Sequence, residues 1–237
     1  MDTKAKITNP YCVIIPAAGF GKRMGQPESK EMLPVLGEQG PMIQYALDLF
    51  KRENCRIVVP TRREKRNLIS FLQENYPKVE ILFIENSKEW ADTVLQSQGS
   101  WQDRNILVLP DTRWDPPKVV FEVLDVLQNH NFAFSSFASE QAETWGVFRI
   151  EAISDSWAIC DKPPKTPANK DQFSKNLVRG TGLCWGHIAF QKPFGESIFS
   201  AILRSHHSRD FEPLHTGICG KSIMMKSFVD LTRPASL

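Results

Sequence analysis

Gly19 and Gly21 come shortly after the apolar stretch Val13–Ile15 and just before Lys22 and Arg23. Glycines at the end of a strand let the backbone approach a phosphate closely and aim its N–H groups at it. The two cations next to them can offset the charge of a polyphosphate, lysine as a point charge and arginine as a two-pronged donor. Two common phosphate motifs do not fit. A dinucleotide fingerprint, GxGxxG, needs a third glycine where the chain has Met24. A Walker loop needs Ser or Thr after its lysine and a glycine five residues before Gly21; the chain has Arg23 and Pro16 there. Gly220-Lys221-Ser222 fails as well, because His215 stands at the required first glycine. On these residues alone, a plain strand-to-helix turn with solvated cations competes with the phosphate reading. Asp111 is a second candidate. It comes after the apolar run 105–109, at the strand end where open α/β sheets hold ligands, although a turn or helix cap would use the same residue.

Holding such groups in place takes a sheet. Continuous apolar runs at 12–15, 56–59, 79–84 and 105–109 predict buried parallel strands. Helical spacing separates them: Ile43, Ala46, Leu47 and Phe50 share one face, as do Leu68, Ile69 and Leu72, and Val119, Val123 and Leu127. Strand alternating with helix implies crossover connections, hence a Rossmann-like, mostly parallel α/β sheet with helices on both faces. The second half reads as short strands around "FAFSSFAS", "WGVFRI", "SWAICDK" and "CWGHIAF", a loop at "DKPPKTPANKDQFSKN" and a helix at "GESIFSAILRSHH". No repeat or linker divides the 237 residues, so one domain is expected.

Composition narrows the function. The chain is 41% hydrophobic and 24% charged, with 29 basic against 27 acidic residues, so a net charge of +2 gives no argument for nucleic acid. No run approaches the ~20 apolar residues of a membrane span. Five scattered cysteines without a CxxC pair, and an N-terminus unlike a signal peptide, predict reduced thiols and a cytoplasmic location.

The segments beyond the glycine turn are more specific. "PAAGFGKRM", then "SKEMLPV" and "PMIQY", resembles the sugar-1-phosphate nucleotidylyltransferases (nucleotide-sugar pyrophosphorylases), and is most similar to their UTP–glucose-1-phosphate uridylyltransferase branch. Further blocks continue the resemblance in order: "LVLPDT" at 107–112, "WGVF" at 145–148, "CDKP" at 160–163, "TPAN" at 166–169 and "FVDLTRPASL" at 228–237. The resemblance implies the nucleotide-diphospho-sugar transferase fold, with a nucleotide-binding half over about 1–125 and a sugar-phosphate half over about 126–237. It also implies a reaction in which a phosphate oxygen of a sugar 1-phosphate attacks the α-phosphorus of a nucleoside triphosphate, UTP or dTTP, and pyrophosphate leaves. Catalysis of that kind is positioning and charge neutralisation, with no side-chain nucleophile.

Residue by residue, the resemblance assigns Ala17, Ala18, Gly19, Gly21, Lys22 and Glu89 to the nucleotide. Arg23 would meet the β- and γ-phosphates, and Lys30 the α-phosphate. Lys162 would grip the acceptor phosphate and Asp161 its hydroxyls, with Gly146 and Gly186 allowing close approach. Asp111 and Asp230 would hold Mg²⁺, which prefers oxygen ligands. A homo-oligomer is compatible with the resemblance.

The chain departs from the pattern at four places. Lys22 stands where the family has a small residue, Asp161 where it has glutamate, Glu89 followed by Trp90 where its base-contacting segment has a glycine, and Leu231 where a glycine comes after the second aspartate. These keep two alternatives in play. One is a cytidylyltransferase acting on a methylerythritol-phosphate or phosphocholine type of acceptor, the former sharing nearly the same opening motif. The other is a nucleotide-binding paralogue without turnover. His206 and His207, adjacent and so on different faces of a helix, read as surface histidines, and Trp145, Trp157 and Trp185 as packing for the core or the sugar site.

Overall fold

The computed structural model describes residues 10–19, 29–35, 40–137, 145–150, 156–163, 183–214 and 218–231. Gly21, Lys22, Arg23 and the 166–169 block lie outside the described residues, as does the side chain of Asp230.

The first half of the chain builds a parallel block. Strands β1 (Tyr11–Ile14), β2 (Cys55–Thr61), β3 (Glu80–Phe83) and β4 (Arg104–Leu107) pair in the spatial order β3-β2-β1-β4, every pair parallel. Between them run α1 (Met42–Phe50), α2 (Arg66–Asn75) and α3 (Trp90–Gln96). The central strand β1 is buried on both faces, and its side chains alternate between two cores. Val13 packs with Ile43 and Leu47 of α1 and Leu68 and Leu72 of α2, while Cys12 and Ile14 pack on the opposite face with Ala91 and Val94 of α3. Such two-sided burial is why β1 reads as an unbroken apolar run; β3, expected as a buried strand, is instead the edge of the sheet, with no fully buried residue and Phe83 exposed.

The second half joins this block through antiparallel pairs. After β4 come β5 (Thr112–Asp115), α4 (Val119–Val126), β6 (Phe132–Phe137), β7 (Gly146–Ile150) and β8 (Trp157–Asp161). Next in the chain are β9 (Leu183–Gln191), α5 (Lys192–Ser208), β10 (Glu212–Pro213), β11 (Gly220–Met224) and β12 (Ser227–Asp230). The long strand β9 is the junction. It runs antiparallel to β4, β6 and β7, and β8 and β10 extend the sheet beyond β7. Helix α5 has Pro193 in its first turn, where the missing N–H costs nothing, and ends on Arg209 in the left-handed region. It covers the α3 face through Ile198, Phe199 and Ile202, so helices lie on both sides of the sheet.

One element has no counterpart in the sequence patterns. β5 and β12 form a separate two-stranded antiparallel ribbon, with Thr112 opposite Asp230. The ribbon brings the chain's last described strand back to the end of β4.

Candidate active site

A cleft with about 280 Å³ of water-accessible space opens along the ends of β1, β4, β7 and β8. Ala18, Gly19, Lys30, Glu89 and Asp111 border one side and Gly146, Asp161 and Lys162 the other. Eight residues expected at a nucleotide or acceptor site thus meet in one cavity, although they come from segments more than a hundred residues apart.

The side of the cleft beyond β1, where a nucleotide was expected, is fixed by backbone bonds and paired charges. Beyond β1 the chain stays registered with β2: Ile15 N–H bonds to Val58 O and Ala17 N–H to Pro60 O. Thr61 Oγ1 donates to Ala17 O at 3.1 Å. Ala17 itself is fully buried. Arg62, just past β2 and 9% exposed, donates from Nε to Ala18 O at 2.7 Å and from Nη2 to Ser87 O at 2.6 Å. One guanidinium therefore ties the chain at Ala18 to Ser87 in the segment before α3. Glu31 is fully buried and receives Lys65 Nζ at 3.0 and 2.8 Å. Burial pulls the Lys65 pKa down and the Glu31 carboxylate opposes that. Neither Arg62 nor Lys65 was expected from the sequence; the only signal was a run of cations directly after a buried strand.

Lys30 sits on a 3-10 turn, Lys30–Met32, and its Nζ lies 2.5 Å from Asp111 Oδ2. Both side chains remain partly exposed to the cleft, at 26% and 13%. Asp230 approaches through its backbone. It pairs with Thr112, and the next residue, Leu231, donates its N–H to Asp111 O at 2.9 Å. Asp111 thus stands directly before β5, beside Asp230 at the end of the adjoining β12.

The base-contacting segment resolves differently from its sequence pattern. Glu89 has φ −129°, ordinary extended backbone that any residue adopts, and it precedes α3 without capping it. The position that takes the left-handed conformation is Asn86, with φ 58°. Asparagine visits that region at lower cost than other non-glycine residues. Glu89 therefore does not occupy a place that requires glycine.

The side formed by β7 and β8, where the acceptor was expected, is aromatic. Trp185 packs over Gly146 so closely that a Cβ there would lie 1.9 Å from the indole Nε1. That N–H is buried and has no hydrogen-bond partner among the described residues. Trp90 packs against the same indole with centroids 5.1 Å apart. Lys162 has φ 55°, with its N–H bonded to Trp145 O and its carbonyl receiving Arg209 Nη1 at 3.1 Å.

Two expectations are corrected. Gly186 is absent from the cleft lining: a Cβ on it would meet Met225 Cε at 2.6 Å and Phe228 Cε2 at 2.6 Å, so its small size serves packing against the β11–β12 corner. His206 is no free surface histidine. Its Nδ1 lies 2.7 Å from Asp161 Oδ2 and its Nε2 3.1 Å from Glu89 Oε1. No disulfide links the five cysteines, and no described helix is long and apolar enough to cross a membrane.

Comparison with known proteins agrees on the class. No family model matches the chain. Across most of its length the fold is similar to that of a glucose-1-phosphate thymidylyltransferase described from Bacillus anthracis, with a TM-score of 0.65 over 94% of this chain and 89% of that one at 17% identity. The chain has the nucleotide-diphospho-sugar transferase fold. Sequence relatives point to a different branch from the one the motifs most resemble. A segment of 87 residues is 36% identical to the 2-C-methyl-D-erythritol 4-phosphate cytidylyltransferase of Bacillus mycoides, covering 35% of this chain and 38% of that protein. Another of 122 residues is 25% identical to the D-ribitol-5-phosphate cytidylyltransferase of Xenopus tropicalis, covering 51% of this chain and 28% of that protein. The matches thus span well under half the length of these curated relatives, and both relatives are cytidylyltransferases.

Proposed function

We propose that the protein is a nucleotidyltransferase that moves a cytidylyl group from CTP to a phosphorylated polyol. A phosphate oxygen of the acceptor attacks the α-phosphorus of CTP. The bond to the bridging oxygen of the β-phosphate breaks, and pyrophosphate leaves with its electron pair. The observation that carries this reading is the facing arrangement in one cleft of Lys30 and Asp111 with Asp161 and Lys162. Two polyanions that must meet in line need cations placed beforehand on both sides.

Lys30, oriented by Asp111, offsets charge at the α-phosphate, and Lys162 holds the acceptor phosphate. Asp161 accepts hydrogen bonds from acceptor hydroxyls. The backbone at Gly19, with Gly21, Lys22 and Arg23 beyond it, cradles the triphosphate. The donor chemistry fits Mg²⁺: Asp111, directly before β5, and Asp230, whose backbone pairs with Thr112 at the end of β12, would supply oxygen ligands, with phosphate oxygens to complete the shell. When bound, the ion would neutralise phosphate charge and steady the departing pyrophosphate. Cytosine and a polyol acceptor, in place of uracil or thymine and a sugar 1-phosphate, are supported by the cytidylyltransferase relatives.

The test is pyrophosphate release with Mg²⁺ and CTP, UTP or dTTP, each against methylerythritol 4-phosphate, ribitol 5-phosphate, glucose 1-phosphate and phosphocholine. Release with CTP and a polyol phosphate is expected. Release with UTP or dTTP and glucose 1-phosphate alone would overturn the choice of both base and acceptor.

A further inference from the structure

Building on the proposed reaction, we propose that His206 is a positioning residue: as an imidazolium it cross-links Glu89 on the nucleotide side to Asp161 on the acceptor side, and so fixes the carboxylate that receives the acceptor's hydroxyls. The geometry sets the protonation state. Both ring nitrogens face carboxylate oxygens, at 2.7 Å to Asp161 and 3.1 Å to Glu89. Ionised carboxylates only accept, and a neutral imidazole has a single N–H. The Nδ1–Asp161 contact is a hydrogen bond and the Nε2–Glu89 contact an ion pair, and the two are favourable together only when both nitrogens carry protons.

The surroundings favour the same state. His206 lies in the last turn of α5, where the helix dipole stabilises a cation. Asp161, 2% exposed, is held from its other side as well, its N–H donating to Ser205 Oγ at 3.0 Å. The groups facing the imidazole are Asp161 from β8, Glu89 from the start of α3, Lys162 just after β8, and His207 on its own helix with ring centroids 5.8 Å apart. The hydrogen bond to Asp161 raises the His206 pKa most; burial and Lys162 work against it, and the charges of Asp161 and Glu89 support it. The cross-link also explains the residue before α3. Glutamate makes no cap hydrogen bond there, whereas Ser, Thr, Asp or Asn would be the usual choice. Its carboxylate reaches across to α5 instead.

The cross-link is pH-dependent. A histidine whose folded pKa is raised contributes its full stabilisation below the ordinary value of about 6.5, and loses it as pH rises through the folded pKa. Above that point one contact becomes a lone pair facing a carboxylate. The link opens, and two negative charges remain beside a site for anions.

Nitrogen-15 NMR of the histidine side chains tests the link without any substrate. His206 should remain doubly protonated to higher pH than an ordinary histidine, and Asp161→Asn or Glu89→Gln should each lower its titration midpoint. A His206 that titrates at or below the ordinary value of about 6.5 in the wild-type protein would overturn the cross-link. Kinetics test the consequence. His206→Gln at pH 6.5 should raise the acceptor KM about tenfold, as expected for losing one charged hydrogen bond, while kcat and the CTP KM stay within about twofold. His206→Arg, a permanent cation with two donors, should recover acceptor affinity and flatten its pH dependence. An acceptor KM in His206→Gln equal to wild type at every pH, in a variant whose thermal melt shows it folded, would overturn the positioning role. Failure of the wild type to use any polyol phosphate would count against the proposed reaction and would leave the NMR titration as it stands.

Discussion

The two sides of the cleft are held rigid by different means. On the proposed nucleotide side, each cation is matched to oxygen acceptors: buried Lys65 to Glu31, Arg62 to the carbonyls of Ala18 and Ser87, and Lys30, facing the cleft, to Asp111. On the acceptor side the framework is aromatic. Trp185 lies on Gly146 and against Trp90, and Trp145 packs edge-on to Phe137. A polar link, Glu89–His206–Asp161, joins the two sides. A triphosphate presents the same charges whatever base it carries, so its side can be built from preset cations and backbone N–H groups. An acceptor is distinguished by shape and hydroxyl pattern, which call for close-packed rings and a carboxylate held at a fixed place.

The contrast is sharpest where each framework is cut. Lys65→Met leaves Glu31 buried without the ammonium that bonds both its oxygens, and should cost about 3–5 kcal/mol in urea denaturation, the largest loss of stability expected on either side. The double variant Glu31→Gln, Lys65→Met should recover a good part of that. A Lys65→Met protein as stable as wild type would show that the pair does not brace the nucleotide side. Gly146→Ala should act through packing instead. The added methyl must displace the Trp185 indole, so a loss of about 1–3 kcal/mol is expected, together with a raised acceptor KM and a preserved CTP KM. An unchanged melt and acceptor KM would mean that the indole is not fixed against that strand.

How far these frameworks can be read from the chain depends on the range of the contacts. The central strand β1 was legible because two-sided burial leaves an unbroken apolar run, and Lys30, Asp111, Asp161 and Lys162 were legible through their motifs. Arg62 was not, because its partners are main-chain carbonyls, which have no sequence signature. The β5–β12 ribbon was hidden for a related reason: its two strands are four residues each and pair across more than a hundred residues of chain. His206 shows the limit most clearly. Its adjacency to His207 argues against a shared metal, yet its actual partner Asp161 is 45 residues away on another element. Gly186 fails in the opposite direction, since a glycine between large side chains and a glycine beside a ligand look alike until the neighbours Met225 and Phe228 are placed.

The division of labour between the two sides is tested most directly by steady-state kinetics of Lys30→Ala and Lys162→Ala with CTP, Mg²⁺ and the acceptor that the wild type uses. Lys30→Ala should lower kcat by about 10²–10³-fold, the usual loss when one preorganised charge at a transition state is removed. Lys162→Ala should act chiefly on the acceptor, raising its KM about tenfold or more while the CTP KM stays near wild type. Wild-type kcat in Lys30→Ala, or a Lys162→Ala defect confined to CTP, would contradict the assignment of the two sides.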